Sequence, residues 1–290
     1  MDKPLAAERH LTSQDGLKLF YRDYGDPLLS DAVPVLCLAG LVRNSGDFHE
    51  LALHLAHRRR VLALDLRGRG KSDYDPIPAN YRPPTYAMDI AALLTVANVH
   101  KVAVIGTSLG GLLAMALALF RPTALAGVVL NDIGPEIDPK GVARIRGYVG
   151  KTPAPQNMAE AEQQLARNYG VAFPDFTAAD WRDMAAGTYK VQADGTLALM
   201  YDPSISRSIA NGPEMDLWRL YGALADVPVL AIRGGLSDLL SAETFDRMAA
   251  AKPDLQRLTV PNRGHTPTLN EPVCRDAIDG FLERLDAVGH

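Results

Sequence analysis

The order of apolar runs along the chain predicts an α/β protein: a doubly wound, mostly parallel sheet that opens with a hairpin and carries an inserted helical segment. Three observations carry this. Short apolar runs recur at 33–39, 61–66, 102–105, 127–130 and 227–232, and strands apolar on both faces belong in a sheet covered on both sides, the habit of parallel sheets. Helix-forming stretches alternate with these runs. The alternation then stops after Asn131 and resumes only near position 221.

The elements follow in order. Residues 17–24 come after Asp15-Gly16, a hairpin turn signal, and pair with a strand near 8–14. The runs at 33–39 and 61–66 flank a helix over 47–57, and a second helix covers 85–98. The segment 102–120 carries no charge and superficially resembles a membrane span. Its glycine-rich interior at 106–111 divides it into a buried strand, a turn and a buried helix over 109–120. After 127–130 the pattern is helical, at 141–148, 158–169 and 178–186, with no convincing buried strand before 220. The sheet pattern returns at 227–232 and in a weaker strand at 255–260, with helices over 242–251 and 271–286. The reading is therefore a core formed by 1–134 and 221–290, and an inserted helical cap at 135–220.

A chain of 290 residues is within reach of one α/β unit with an insertion. Apolar residues make up 47% and charged residues 22%, which excludes disordered and collagen-like chains. The net charge of −4, with Lys and Arg scattered among acidic residues, builds no field for nucleic acid or an anionic membrane. The first ten residues lack the apolar core of a signal peptide, and the chain is expected to be soluble and cytoplasmic. Cys37 and Cys274 lie far apart in apolar contexts and read as buried small hydrophobes, without a disulfide framework or a metal site.

Two further motifs fail. Gly68-Arg69-Gly70-Lys71-Ser72 ends like a phosphate-binding loop, but the required earlier glycine is replaced by Asp65. His49-Glu50 begins a zinc-protease pattern, but Leu53 occupies the place of the second histidine and His54 is one step too far round the helix.

Gly106-Thr107-Ser108-Leu109-Gly110 fits G-x-S-x-G in the required context, with a strand before it and a helix after it. A turn this sharp strains its apex residue and projects the Ser108 hydroxyl from the end of the sheet. The amides that follow, at the helix N-terminus, favour developing negative charge. A serine nucleophile needs a base. His10 and His290 lie near the chain ends, His49, His54 and His57 share one helix, and His100 precedes a strand. His265 instead sits in the loop after the last strand, on the sheet edge shared with Ser108. An acid must then fix the histidine's tautomer. Asp238 and Asp132 both end strands on this edge, and either satisfies the order Ser, Asp, His. A second oxyanion donor is expected from the loop Leu38-Ala39-Gly40-Leu41-Val42, through the amide of Leu41 beside that of Leu109. Arg43 and Asn44 follow as candidates for the pocket wall.

These residues resemble the α/β-hydrolase fold family, in its subgroup of serine hydrolases with a helical cap. The resemblance rests on Leu38-Ala39-Gly40-Leu41, on 65–72, on Gly106-Thr107-Ser108-Leu109-Gly110-Gly111, on 233–238 and on Gly264-His265. It implies that the acid follows the strand before the histidine loop, which favours Asp238 over Asp132. It also implies that 65–72 is a structural turn with internal charge pairing. The family more often has His-Gly where this chain has Ala39-Gly40. A serine nucleophile sets the chain apart from the haloalkane dehalogenases and epoxide hydrolases of the family, which use Asp. The implied activity is cofactor-independent hydrolysis of a small, fairly hydrophobic carboxylic ester or lactone through an acyl-enzyme. Carbon–carbon hydrolysis of a dienoate or diketone is the alternative, with Arg43 facing a substrate carboxylate. A ligand-binding protein with residual hydrolase activity is another. The implied partner is a small-molecule substrate, and the oligomeric state stays open. The cap's aromatic and Met residues include Tyr148, Phe173, Phe176, Trp181, Met184, Tyr189, Met200 and Tyr201. Two or three are expected to face the cleft, with Tyr148 and Trp181 as the pocket candidates.

Overall fold

The computed structural model describes residues 6–26, 31–151, 153–207 and 216–288. His290 and the parts of the expected insertion at 152 and 208–215 lie outside them.

Eight strands form one sheet: β1 (Ala6–Thr12), β2 (Lys18–Tyr24), β3 (Val35–Leu38), β4 (Val61–Leu64), β5 (Val102–Thr107), β6 (Leu125–Asn131), β9 (Val229–Gly234) and β10 (Gln256–Val260). Their spatial order is β1-β2-β4-β3-β5-β6-β9-β10. The β1–β2 and β2–β4 pairs are antiparallel and all the others are parallel, as the opening hairpin followed by apolar runs predicts. The hairpin turns at Asp15-Gly16, where Gly16 has φ +88°.

The strands' two-residue period builds two cores. Leu36, Leu38, Val102 and Val104 face one side, against α2 (Pro83–Val96) and α3 (Leu109–Phe120). Val35, Cys37, Ala103 and Ile105 face the other. There they meet α1 (His49–Leu55) and the final helix, α9 (Pro272–Val288). Both faces are covered, so each buried Val, Leu or Ile contributes about 1.5–3 kcal/mol.

Between β6 and β9 lie α4 (Pro139–Tyr148), α5 (Met158–Tyr169), α6 (Ala178–Thr188), a hairpin of β7 (Tyr189–Val191) and β8 (Leu197–Leu199), and α7 (Leu217–Gly222). This segment has a small core of its own, built on Ala161, Leu165, Ala185, Tyr189 and Leu197. The hairpin departs from the all-helical expectation. Its signal was present: Asp194-Gly195 is a turn pair, and Gly195 has φ +83°. Each strand has only three residues and neither is buried throughout, so the apolar-run criterion passes over them. The helix α8 (Ala242–Ala251) connects β9 to β10. Among the described residues, no helix is long and apolar enough to cross a membrane.

The turn at 65–72 is held by charge pairing. Asp65 accepts the amides of Ser45 and Lys71, and the buried Arg67 guanidinium binds Asp15, Asp75 and Asp89.

Candidate active site

Strand β3 is the point where the winding reverses, with β4 on one side and β5 on the other. In such sheets ligands bind outside the C-terminal strand ends at the reversal. The loop after β3 and the turn after β5 meet there: a Cβ on Gly40 would lie 3.8 Å from the Ser108 Cβ.

Ser108 has φ 51° and ψ −113°, a conformation unfavourable for a residue with a side chain. The flanking glycines permit it. A Cβ on Gly106 would stand 2.4 Å from the backbone of Gly110, so the strand and helix meet only because neither position carries a side chain. The turn is further tied by the Ser108 amide, which donates to the Asn131 carbonyl at 3.0 Å.

Ser108 Oγ lies 3.0 Å from His265 Nε2, and His265 Nδ1 lies 2.8 Å from Asp132 Oδ2. The His265 side chain is 8% exposed and that of Asp132 is fully buried. A carboxylate can only accept, so the Nδ1 proton lies between His265 and Asp132. The Nε2 lone pair is then left to receive the serine proton. Asp132 Oδ1 accepts the Gly234 amide at 2.8 Å, and Oδ2 also accepts the Ser237 hydroxyl at 2.6 Å.

This corrects the expected acid. Asp238 is not the carboxylate bonded to His265; it forms a two-point pair with Arg144 of α4, at 2.5 and 2.8 Å. The Arg144 guanidinium holds the Asp238 carboxyl below the usual carboxylate range. The reason lies in strand order. Strand β6 is the direct neighbour of β5, and Asp132 is the first residue beyond it. Asp238 comes four residues after β9, one strand further from Ser108, where α4 captures it.

Asn131 sets the spacing of these parts. Its side-chain amide donates to Thr107 Oγ1 at 3.0 Å and to the Pro267 carbonyl at 2.9 Å, joining the residue before Ser108 to the histidine loop. The inserted segment closes over the same loop. The Gly264 amide donates to the Ala172 carbonyl at 2.6 Å, and Arg263 binds Glu271 and Asp175.

A cavity of about 900 Å³ opens at Ser108 and His265, walled by the loop after β3 and by the inserted segment. Arg43, Asn44 and Tyr148 line it as expected, but Trp181 does not. Trp181 packs edge-on against Phe176 and Phe173, which takes its ring into the inserted segment's own aromatic cluster. The other seven aromatic and Met candidates all reach the lining, more than expected. Tyr169, in edge contact with Tyr148, was missed by the sequence reading. A polar-tipped residue at the end of a helix gives no signal that separates pocket from surface. His49, set aside above as one of three histidines on a single helix, also lines the cavity and bonds the Tyr24 hydroxyl through Nδ1.

Arg43 is tied into the loop after β3 and the inserted segment. Its guanidinium makes a two-point pair with Asp47 at 2.8 and 2.5 Å and a third bond to Thr188 Oγ1. Asn44 donates to the Gly187 carbonyl at 2.9 Å, so both residues fasten the loop after β3 to the end of α6. Arg69, buried beneath, donates through Nε to the Leu41 carbonyl at 2.9 Å. Both cysteines are buried free thiols whose pKa values burial raises, unlike an activated nucleophile. Among the described residues, no group of three His, Cys, Asp or Glu is placed to hold a metal.

Fold and sequence agree on the class. Residues 35–275 match the alpha/beta hydrolase family, and the chain belongs to it. It is similar to an alpha/beta hydrolase from Novosphingobium aromaticivorans, with 41% identity and a TM-score of 0.92 over 97% of this chain and 99% of that one. It is 35% identical to a 3-hydroxybutyrate-oligomer hydrolase of Cupriavidus necator, over 88% of this chain and 89% of that protein. It is also 29% identical to a 2-(acetamidomethylene)succinate hydrolase of Mesorhizobium japonicum, over 86% and 87% respectively.

Proposed function

We propose that the protein is a serine hydrolase that cleaves a small, fairly hydrophobic carboxylic ester through an acyl-enzyme. The observation that carries this is the unbroken relay Ser108–His265–Asp132, whose serine and histidine line the cavity. Ser108 Oγ attacks the ester carbonyl carbon while His265 Nε2 takes its proton. Asp132 stays ionised beside the imidazolium. The amides of Leu41 and Leu109 receive the oxyanion. Collapse of the tetrahedral intermediate expels the alcohol, protonated by His265, and water activated by the same ring then releases the acid.

Within esters, we favour short hydroxyacid esters. Support comes from the relative that hydrolyses 3-hydroxybutyrate oligomers and aligns along nearly the whole of both chains. The cavity suits such a chain, since its wall mixes apolar groups such as Ile145 and Leu165 with polar Tyr148, Asn168 and Thr188. In this role the inserted segment acts as the cap that shapes the pocket. Carbon–carbon hydrolysis would draw on an uncompensated cation facing a substrate carboxylate, and the charge of Arg43 is offset by its two-point pair with Asp47. The two free, buried cysteines suit a reducing compartment, and we place the reaction in the cytoplasm, on a small-molecule substrate.

The test has two stages. A fluorophosphonate should label the native protein at Ser108 and leave Ser108→Ala unlabelled, with the variant's turnover down on the order of 10⁴-fold or more. Turnover should then be compared on 3-hydroxybutyrate dimers and trimers, simple short esters, lactones and diketones. Labelling without turnover on any of them would point to a binding protein, and turnover confined to diketones would overturn the ester reading.

A further inference from the structure

Resting on that reading, we propose that Ser237 is a positioning residue of the catalytic relay, which sets the charge on the Asp132 oxygen that holds His265. Its hydroxyl has one direction available. Ser237 Oγ accepts the amides of Leu239 and Leu240, at 3.2 and 3.1 Å. Those two donors occupy the oxygen's lone pairs, so its own proton goes to the remaining neighbour, Asp132 Oδ2, at 2.6 Å. The oxygen that receives this proton is the one that accepts the His265 Nδ1 proton at 2.8 Å. The second carboxylate oxygen is taken by the Gly234 amide. Asp132 therefore accepts from three donors, and one of them competes directly with the imidazole.

The competition has a chemical consequence. Each donor on a carboxylate oxygen draws off part of its charge. With Ser237 in place, Oδ2 orients the ring without holding the imidazolium as tightly as a bare oxygen would. Without it, the imidazolium is stabilised, and a higher pH is needed before the ring is free to accept the Ser108 proton. Among the described residues, the charges nearest the ring besides Asp132 are held in pairs that Ser237 does not touch, and Asp238 still acts on the ring through its charge in every variant. Asp238, from the loop after β9, is bound by Arg144 of α4. Arg263, on the histidine's own loop, is bound by Glu271 and by Asp175 of the inserted segment. The loop expected to supply the acid thus contributes a neutral donor to it, one residue earlier.

The experiment is the pH–rate profile of kcat/KM for the native protein, Ser237→Ala and Ser237→Thr on one ester, with melting temperatures alongside. In Ser237→Ala the acid limb should move to higher pH by about half to one unit, and kcat should fall by about 10-fold. Ser237→Thr, which keeps the hydroxyl, should retain the native limb. A Ser237→Ala variant that loses stability or rate with its limb unmoved would show a merely structural role and overturn the proposal. So would a folded Ser237→Thr that shifts as Ser237→Ala does. If Ser237→Ala does not fold, Ser237→Cys replaces it, and its weaker donor should shift the limb in the same direction. An unmoved limb there also overturns the proposal. The underlying reading fails in a different way, as native turnover that does not depend on Ser108.

Discussion

Asp132 reaches His265 across an intervening strand: their side chains meet at 2.8 Å although β9 lies between β6 and β10 in the sheet. The histidine loop folds back over the C-terminal end of β9 to make this contact. The same strand end gives Asp132 its second anchor, through the Gly234 amide. Asp132 itself has φ 53°, a left-handed conformation that aims its side chain along the sheet edge.

Replacing each acid by its amide separates their roles. Asp132→Asn should lower kcat by about 10⁴-fold while the protein stays folded, because the ring loses the partner that fixes its tautomer. Asp238→Asn should keep turnover within about 10-fold and lower the melting temperature slightly, since it weakens a half-exposed pair with Arg144. Steady-state rates and thermal melts of the two variants check this. A dead Asp238→Asn beside an active Asp132→Asn would reverse the assignment.

The sequence carried the fold almost whole, for a physical reason. Strands covered on both faces must be apolar at every position, and 61–64 and 102–105 show this directly. Ser108 and His265 were legible because each sits at a strand end with its own local pattern. The choice between Asp132 and Asp238 was not, because both end strands on one edge and satisfy the same order. Only lateral strand order separates them, and that depends on long-range pairing. Trp181 was misplaced for a related reason, since an aromatic ring in a helix serves a small local core or a cleft equally well.

Arg69 supports the loop that carries Leu41. The arginine is fully buried, with its guanidinium 4.8 Å from the Tyr86 ring centre and bonded to the Leu41 and Arg67 carbonyls. The Gly40 carbonyl is held separately by the Arg43 amide, so the peptide that presents the Leu41 amide is fixed on both sides. Lysine keeps the charge but loses the planar fork and the ring stacking. Arg69→Lys should lower kcat by about 10- to 100-fold with little change in KM, the pattern of a loosened oxyanion donor. Kinetics on one ester decide it, and an unchanged kcat would mean that the loop is held without Arg69.

One part of the acid response runs through Asp15, which is bound to Arg67. Hydrogen bonds from Arg67 and then Ser13 hold the Asp15 carboxyl down at about 2. A carboxyl lowered in this way contributes stability above its ordinary pKa and loses it as pH falls toward about 2. The side chain is 45% exposed, so screening reduces the effect. Asp15→Asn should be less stable than the native protein at neutral pH, and the two melting temperatures should converge between pH 4 and 2. Parallel melts across that range are the check, and curves that stay equally far apart would remove Asp15 from the acid response.

The last prediction concerns Gly234, where the histidine loop crosses β9. A Cβ there would stand 2.5 Å from the carbonyl oxygens of both Arg263 and Gly264, closer than real contacts allow. These are backbone atoms immediately before His265, so the clash cannot be relieved by turning a side chain. The loop must lift, and His265 must lift with it. The Gly264 amide is also bonded to Ala172, so the movement is resisted from the inserted segment. Gly234→Ala should therefore cost about 1–3 kcal/mol of stability and, separately, lower kcat by about 100-fold, because a displacement near 1 Å at the base is enough to do so. Melting temperature and kcat are measured together, with fluorophosphonate labelling of Ser108 as a third readout that should slow in step with kcat. A variant that is destabilised but labels and turns over at the native rate would show that the loop can shift without carrying His265 away from Ser108.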